Sequence, residues 1–145
     1  MSKFKVEKVE EYKGYKYVVI GTSRGYRCGY VGISTDNELY GVDYCNLQLN
    51  VHGSLTYSEN SESNYPIKTE EKLWWIGFYC GHYMDGKDFD LIKELNDINT
   101  YNQLVRIGIL SSADNVVRSF AYVEKECMNL IDQIVIGLFK DSKLD

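Results

Sequence analysis

The sequence predicts an α+β domain: a mainly antiparallel β-sheet, a short helix, and a long C-terminal amphipathic helix that packs on the sheet. Two patterns indicate this class. Residues 1–80 hold short runs of β-branched and aromatic residues separated by glycine-rich turns. From residue 114, apolar residues recur at steps of three and four, as in an amphipathic helix. A chain of 145 residues suits one domain, 1–145.

The first strands are the clearest. YKYVVIGT (15–22) and YRCGYVGIS (26–34), joined by the turn SRG, predict a hairpin whose second strand is interrupted by glycines. Before them, FKVEKVEEY (4–12) alternates weakly and fits an edge strand or an amphipathic lead-in. Residues 35–46 are rich in turn formers, and 47–58 lead through His52-Gly53 into a short strand.

The second half begins with a polar segment, 59–72, which predicts an exposed loop carrying the one proline. LWWIGFYC (73–80) is the most apolar run and predicts a central strand. A short helix is expected over 89–98 with Asp88 as its N-cap, whereas 101–111 fits helix or strand. The long helix follows, and 141–145 is expected to be a frayed tail.

Composition narrows the function classes. A net charge of −5 and a pI near 5.1 argue against direct nucleic-acid binding, which needs a basic surface. They are compatible with an acidic surface that docks on a basic partner, and the 13 tyrosines suit a binding surface. The chain shows no signal-peptide pattern and no membrane-span pattern, so a cytoplasmic protein is expected. Its four cysteines form no CxxC pair and are expected to be reduced thiols.

The stretch WWIGFYCGHYMD (74–85) concentrates chemically active residues. Strand alternation places Trp74, Ile76, Phe78, Cys80 and His82 on one face, which we interpret as the core face until it reaches His82. Both histidines of the chain stand beside a glycine at the end of an apolar strand. This predicts a shared ligand pocket, lined by His52, Thr56, Tyr57, His82 and Asp85.

Three other interpretations of these residues stay open. Cys80 and His82, with His52 and Asp85, are weak candidates for a zinc site, because no second close-spaced pair completes it. His82 as a general base oriented by Asp85, with Cys80 or Ser54 as nucleophile, would make a small hydrolase. The simplest interpretation is a polar turn. No cofactor is predicted.

A second candidate lies in TSRGYRCGYVGI (22–33), where glycines at 25, 29 and 32 match no established phosphate-binding motif. Arg24 and Arg27, with backbone amides, form a candidate phosphate cradle beside Tyr26 or Tyr30, which offer stacking surfaces. The alternative is a bulged hairpin with two solvated arginines.

The ordered segments GYVGI, VHGSLTYS, WWIGFYCGHYMD and RSFAYVEKECMNLIDQI resemble a family of small bacteriophage and prophage proteins. Its members show HGGLTYS, a segment like WWIGFDCAHxGD, and a closing helix like RTxEYVxxECxxLAxQL. His52, Cys80, His82 and Asp85 match that pattern. Ser54, Tyr79 and Gly81 depart from it, where glycine, aspartate and alanine are usual.

The resemblance implies a phage or prophage origin. Together with the acidic balance, the many tyrosines and the incomplete catalytic set, it leads us to expect an accessory protein that acts by stoichiometric binding. By analogy with other small proteins of mobile elements, we expect it to inhibit a host antiviral defence. Two partners fit: a nuclease effector such as a CRISPR complex, or a small nucleotide signal. Enzymatic activity is not favoured, although a histidine-based or metal-dependent hydrolase, or a structural phage protein, stays an alternative. The C-terminal helix offers a surface for a homodimer.

Overall fold

The computed structural model describes residues 3–112 and 115–137, with backbone only for 108–112. Its architecture is α+β, as predicted: one five-stranded antiparallel sheet with helices packed against it. Tail residues 141–145 lie outside the described residues. No helix in the described part is both long enough and apolar enough to span a membrane.

Five strands form the main sheet, in the spatial order β1-β2-β3-β5-β4. They are β1 (Phe4–Tyr12), β2 (Tyr15–Thr22), β3 (Arg27–Ser34), β4 (Tyr57–Asn60) and β5 (Leu73–Tyr79). The predicted hairpin is thus confirmed as β2–β3, and FKVEKVEEY forms an edge strand. β5 lies inside the sheet between β3 and β4, while β3 occupies the central position.

Three helices and a two-stranded parallel ladder complete the chain. They are α1 (Phe89–Leu95), α2 (Ile98–Ser112) and α3 (Phe120–Val135), with β6 (Asp85–Gly86) beside β7 (Val116–Val117). The side chain of Asp88 caps α1 as predicted, by accepting a hydrogen bond from the amide of Asp90. The long helix starts at Phe120, later than its periodicity suggests, because Ser119 caps it and Val117 belongs to β7.

The main core lies between α3 and one face of the sheet. The helix buries one apolar stripe there, formed by Val123, Cys127, Leu130, Ile131 and Ile134. Gly29 of β3 permits the close approach, since a Cβ at that position would lie 2.6 Å from the sulfur of Cys127. The apolar stripe that the sequence suggested as a homodimer surface is therefore covered by the sheet of the same chain.

The interpretation of β5 as having one core face was incomplete, because both of its faces are buried. Ile76 and Phe78 face α3, but Trp75 on the opposite face is equally inaccessible. Segment 59–72, predicted to be an exposed loop, contributes to this second core. Its first residues belong to β4, and Tyr65 and Ile67 pack over Trp75 and its neighbours. A loop that covers a sheet face needs some apolar residues. Segment 59–72 has them in Tyr65 and Ile67, although most of its other residues are polar.

Replacing Ile131 with alanine is expected to lower the free energy of unfolding by about 2–5 kcal/mol, because Ile131 is fully buried between α3 and the sheet. Urea unfolding followed by circular dichroism measures this. Val135→Ala on the same helix is the matched control, and it should change stability by less than about 0.5 kcal/mol, since Val135 is half exposed. Equal losses in the two variants would contradict this packing.

Candidate functional site

The site is organised around the carboxylate of Asp85, which lies in β6 and is buried. One carboxylate oxygen is 2.9 Å from Nε2 of His52 and accepts a second bond, at 3.0 Å, from the backbone amide of His82. The other oxygen accepts from Nε of Arg118 at 3.0 Å. A buried carboxylate needs such donors, because it has lost its water. Asp85 therefore joins three segments that are distant in sequence.

His52 links the carboxylate to helix α3. An ionised carboxylate only accepts, so Nε2 donates to Asp85, and in the neutral ring Nδ1 accepts from the hydroxyl of Tyr122, 2.9 Å away. The backbone amide of His52 donates to Glu126 at 2.8 Å. We call this group, formed by His52, Asp85, Arg118, Tyr122 and Glu126, the polar clamp. It fastens the loop before β4 and the loop after β5 to the start of α3.

The charge state of Asp85 follows from these contacts. Burial alone would raise the pKa of its carboxyl group, but the hydrogen bonds from His52, Arg118 and the amide of His82 outweigh it and hold the pKa below the ordinary value. Arg118 also lies over the ring of Tyr122, 4.8 Å from its centroid. The clamp is therefore a preformed network with an ionised centre.

A tight turn positions His52, and two consecutive left-handed residues shape it. Gly53 has φ +68° and Ser54 has φ +71°, and the amide of Ser54 closes the turn onto the carbonyl of Val51. A Cβ at residue 53 would collide with Nε2 of His82, so only glycine fits there. At Ser54 the family that the chain resembles usually has a second glycine, which suits this backbone better than serine does.

Tyr79 and Gly81 both lie against the ring of Tyr26. The ring of Tyr79 also stacks on that of His82, with centroids 4.3 Å apart. Tyr79 also meets Tyr26, 5.9 Å away. At residue 81 a Cβ would lie 2.8 Å from the Tyr26 ring, so glycine is required in place of alanine. Tyr26, Tyr79 and His82 thus form one aromatic cluster beside the clamp.

A cleft of about 340 Å³ opens beside the clamp, a size that suits a small ligand. It lies between the β2–β3 turn and the loop after β5, and we call it the cationic cleft. The side chains that line it are those of Arg24, Tyr26, His82, Tyr83, Asp85, Lys87 and Asn115. Asp85 is already neutralised by Arg118, whereas neither Arg24 nor Lys87 forms an ion pair within residues 3–112 and 115–137. The cleft therefore offers two cations beside aromatic rings.

Some of the sequence-predicted residues meet in the structure. His52, His82 and Asp85 come together, with the two imidazole centroids 5.9 Å apart, and Arg24 joins His82 at the cleft. Ligand binding by these residues stays a prediction.

Three of the predicted ligand-binding residues lie elsewhere. The amide of Thr56 bonds the carbonyl of Gly77 and its side chain is exposed. Tyr57 packs edge-to-face on Tyr30 in the second core. Arg27 is not a solvated or phosphate-binding arginine: it is buried and forms ion pairs with Glu7 and Asp88. Alternation along a strand does not reveal which loop will cover its end.

The geometry gives the hydrolase hypothesis little support. Asp85 bonds the amide of His82 and not its ring. Cys80 is buried in the main core, and burial raises the pKa of its thiol to about 12, so the reactive thiolate is disfavoured. Both ring nitrogens of His52 are already occupied. Within the described ranges, no three histidine, cysteine or acidic side chains converge as a metal site would require.

Sequence reasoning missed the half of the clamp that α3 contributes. Tyr122 and Glu126 are four residues apart and Gln133 seven further on, a spacing that places all three on one helix face. Gln133 exchanges two hydrogen bonds with the backbone of Asn50, at 2.8 and 2.6 Å. This polar stripe could have predicted that α3 binds other segments of the chain through hydrogen bonds. It runs beside the apolar stripe, and only the apolar stripe was predicted to pack on the rest of the chain.

A second cavity, of about 370 Å³, lies near the β1–β2 turn. It is lined by Glu11, Asp36 and Glu71, with Lys16 as the one cation among its lining residues. Lys16 is paired with Glu71 at 3.4 Å. Although this cavity is as large as the cationic cleft, its charge repels anions, and none of the sequence-predicted site residues lines it.

Comparison with protein-family models, with curated proteins and with solved structures found no match to this chain. Its function must therefore be argued from the clamp and the cationic cleft.

Replacing Asp85 with asparagine is expected to lower the free energy of unfolding at pH 7 by about 1.5–3 kcal/mol, through the loss of charge-assisted hydrogen bonds. Since folding lowers the pKa of Asp85, its contribution is present above the ordinary value of 3.8 and lost as pH falls below it. The stability gap between wild type and Asp85→Asn should close on acidification. Urea unfolding at pH 7 and near pH 3 measures this, and a constant gap would contradict it.

Ser54→Gly is expected to raise the free energy of unfolding by about 0.5–1 kcal/mol. Removing the left-handed cost of about 1–2 kcal/mol outweighs the entropy cost of glycine, about 0.5–1 kcal/mol. Thermal unfolding measures the change. Ser54→Ala is the matched control, because it keeps the Cβ and should gain nothing. Equal stabilisation by both variants would show that the backbone is not the cause.

Proposed function

We propose that this chain is a stoichiometric binding protein that captures a small phosphorylated ligand, with a nucleotide as the best-fitting class. The observation that carries the proposal is the presence of two cations, Arg24 and Lys87, beside the rings of Tyr26 and His82 in one cleft. Neither cation is ion-paired to another described residue. Cations recognise phosphate, and aromatic faces stack on a base.

The rigidity of the walls supports binding. His82 is held from three sides: its ring stacks on Tyr79, its Nε2 lies against Gly53, and its amide is bonded to Asp85. Tyr26 is fixed against Gly81. A site whose side chains are already ordered loses less entropy when a ligand arrives, which favours affinity. The polar clamp thus serves as the support of the cleft.

The biological setting that we propose rests on the resemblance to phage and prophage proteins. In the cytoplasm of an infected host, a protein that sequesters a nucleotide signal would silence the defence that the signal activates. The alternative mode, in which the protein blocks a nuclease effector such as a CRISPR complex, finds one supporting feature. Tyr83, which lines the cleft, is 91 % exposed, and its neighbour Met84 is 64 % exposed, so the two offer an apolar contact point.

Isothermal titration of the full chain with cyclic mononucleotides, cyclic dinucleotides and inorganic phosphate tests the proposal. We expect at least one nucleotide to bind with one-site stoichiometry. Arg24→Ala and Lys87→Ala should each weaken that binding by about tenfold or more, because each removes a charge-assisted contact. Lys125→Ala is the matched control, since Lys125 is an exposed lysine on α3 and does not line the cleft.

The remaining outcomes decide between the two modes. Binding that is equal for wild type and both cleft variants would place the ligand elsewhere and overturn the role of the cleft. Absence of nucleotide binding, combined with a stable complex with a purified nuclease effector that Tyr83→Ala weakens, would establish the blocking mode. If the chain binds neither class, both modes are wrong.

A further inference from the structure

The outer side of β1 is an unused strand edge. β1 is nine residues long and pairs with β2 on one side, while no other strand of the described residues lies on its other side. The backbone N–H and C=O groups of such an edge can pair with another strand. What the edge accepts depends on the side chains that flank it.

Three apolar side chains of β1 lie on one face and are exposed, whereas Tyr12 lies on the other face and packs against the main core. Phe4, Val6 and Val9 have exposed fractions of 41, 41 and 43 %. Val6 and Val9 would fall on opposite faces of a regular strand. The register shift between Val6 and Lys8 changes this, since Val6 lies opposite Ile20 and Val9 opposite Val18, both in the second core. The irregularity therefore builds an apolar strip along the free edge.

The charged side chains of β1 lie mainly on the other face. When two copies of β1 pair antiparallel, positive side chains of one copy can lie opposite negative side chains of the other. Lys5, Lys8 and Glu10 lie opposite Gly21, Val19 and Tyr17, on the face that α3 covers. When the sequence FKVEKVEEY is laid antiparallel to a second copy with Val6 opposite Val9, Lys5 falls opposite Glu10. Every one of these opposed residues then shares a face with its counterpart, because the register shift is present in both copies.

We propose that two copies of this chain pair antiparallel along β1, about a two-fold axis perpendicular to the sheet, with Val6 of each copy opposite Val9 of the other. The two sheets become one continuous sheet with both α3 helices on the same side. Glu10 forms no ion pair within the described residues, and it gains Lys5 of the second copy as a partner. The valines cover one another across the axis.

A second copy fits this edge better than an unrelated strand does. An edge protected against association usually carries charges that repel a copy of itself, a proline, or a bulge that twists the edge away. β1 has no proline, and its bulge between Val6 and Lys8 lies at the two-fold axis, opposite the same bulge of the second copy. In this register its lysines meet glutamates and its valines meet valines. Such self-complementarity is what an isologous two-fold interface requires.

Sedimentation velocity of the purified chain over a range of concentrations tests the proposal. Wild type should form a dimer. Lys5→Glu and Glu10→Lys should each raise the dimer dissociation constant by about tenfold or more, since each places like charges opposite one another on both sides of the axis. An equimolar mixture of the two variants should form a heterodimer, because all of the opposed charges are then complementary. Recovery in the mixture also shows that both variants are folded.

Glu94→Lys is the control for Lys5→Glu. Lys5 and Glu94 form an ion pair of 2.7 Å within one chain, and both variants break it, but Glu94→Lys leaves β1 unchanged. It should leave the dimer intact. A wild type that stays monomeric at every concentration overturns the proposal. So does a dimer that neither single variant weakens. A dimer that weakens instead with Ile136→Lys, at the exposed end of α3, would place the interface on the helix.

Discussion

The ionised carboxylate of Asp85 is the constraint on which the rest of the site depends. It is buried, so its charge must be matched by nearby donors, and those donors come from the turn before β4, the loop after β5 and the approach to α3. Three segments with little regular structure therefore converge on one point. His52 and Arg118, which both bind that charge, also meet at Tyr122 through its hydroxyl and its ring.

The polar clamp and the cationic cleft are adjacent and share Asp85. In the clamp, His52 and the carboxylate of Asp85 bind one another, whereas the buried Nε2 of His82 has no hydrogen-bond partner among the described residues. The cleft above it keeps Arg24 and Lys87 outside any ion pair of the described chain. The groups left available at the cleft are therefore cations and aromatic rings.

The sequence allowed parts of the site to be predicted, and the physical reason is local. A histidine beside a glycine at a strand end marks a place where the chain turns, and two such places brought His52 and His82 together. Thr56, Tyr57 and Arg27 were misplaced for the converse reason. Each lies within five residues of a site residue in the sequence. The direction of its side chain, however, depends on the pairing of β4 with β5 or, for Arg27, on the acids that bind it. Those contacts are long-range.

Local pattern alone determined the α+β class, the β2–β3 hairpin, the capped start of α1 and the amphipathic stripe of α3, because each depends on neighbours within a few residues. Tertiary structure alone decided that β5 is buried on both faces, that segment 59–72 covers the second face, and that Tyr122 and Glu126 complete the site. These features depend on burial and on pairing between distant segments. The alternation of side chains along a strand defines its two faces, but only the segments packed around the strand determine which face is exposed to solvent.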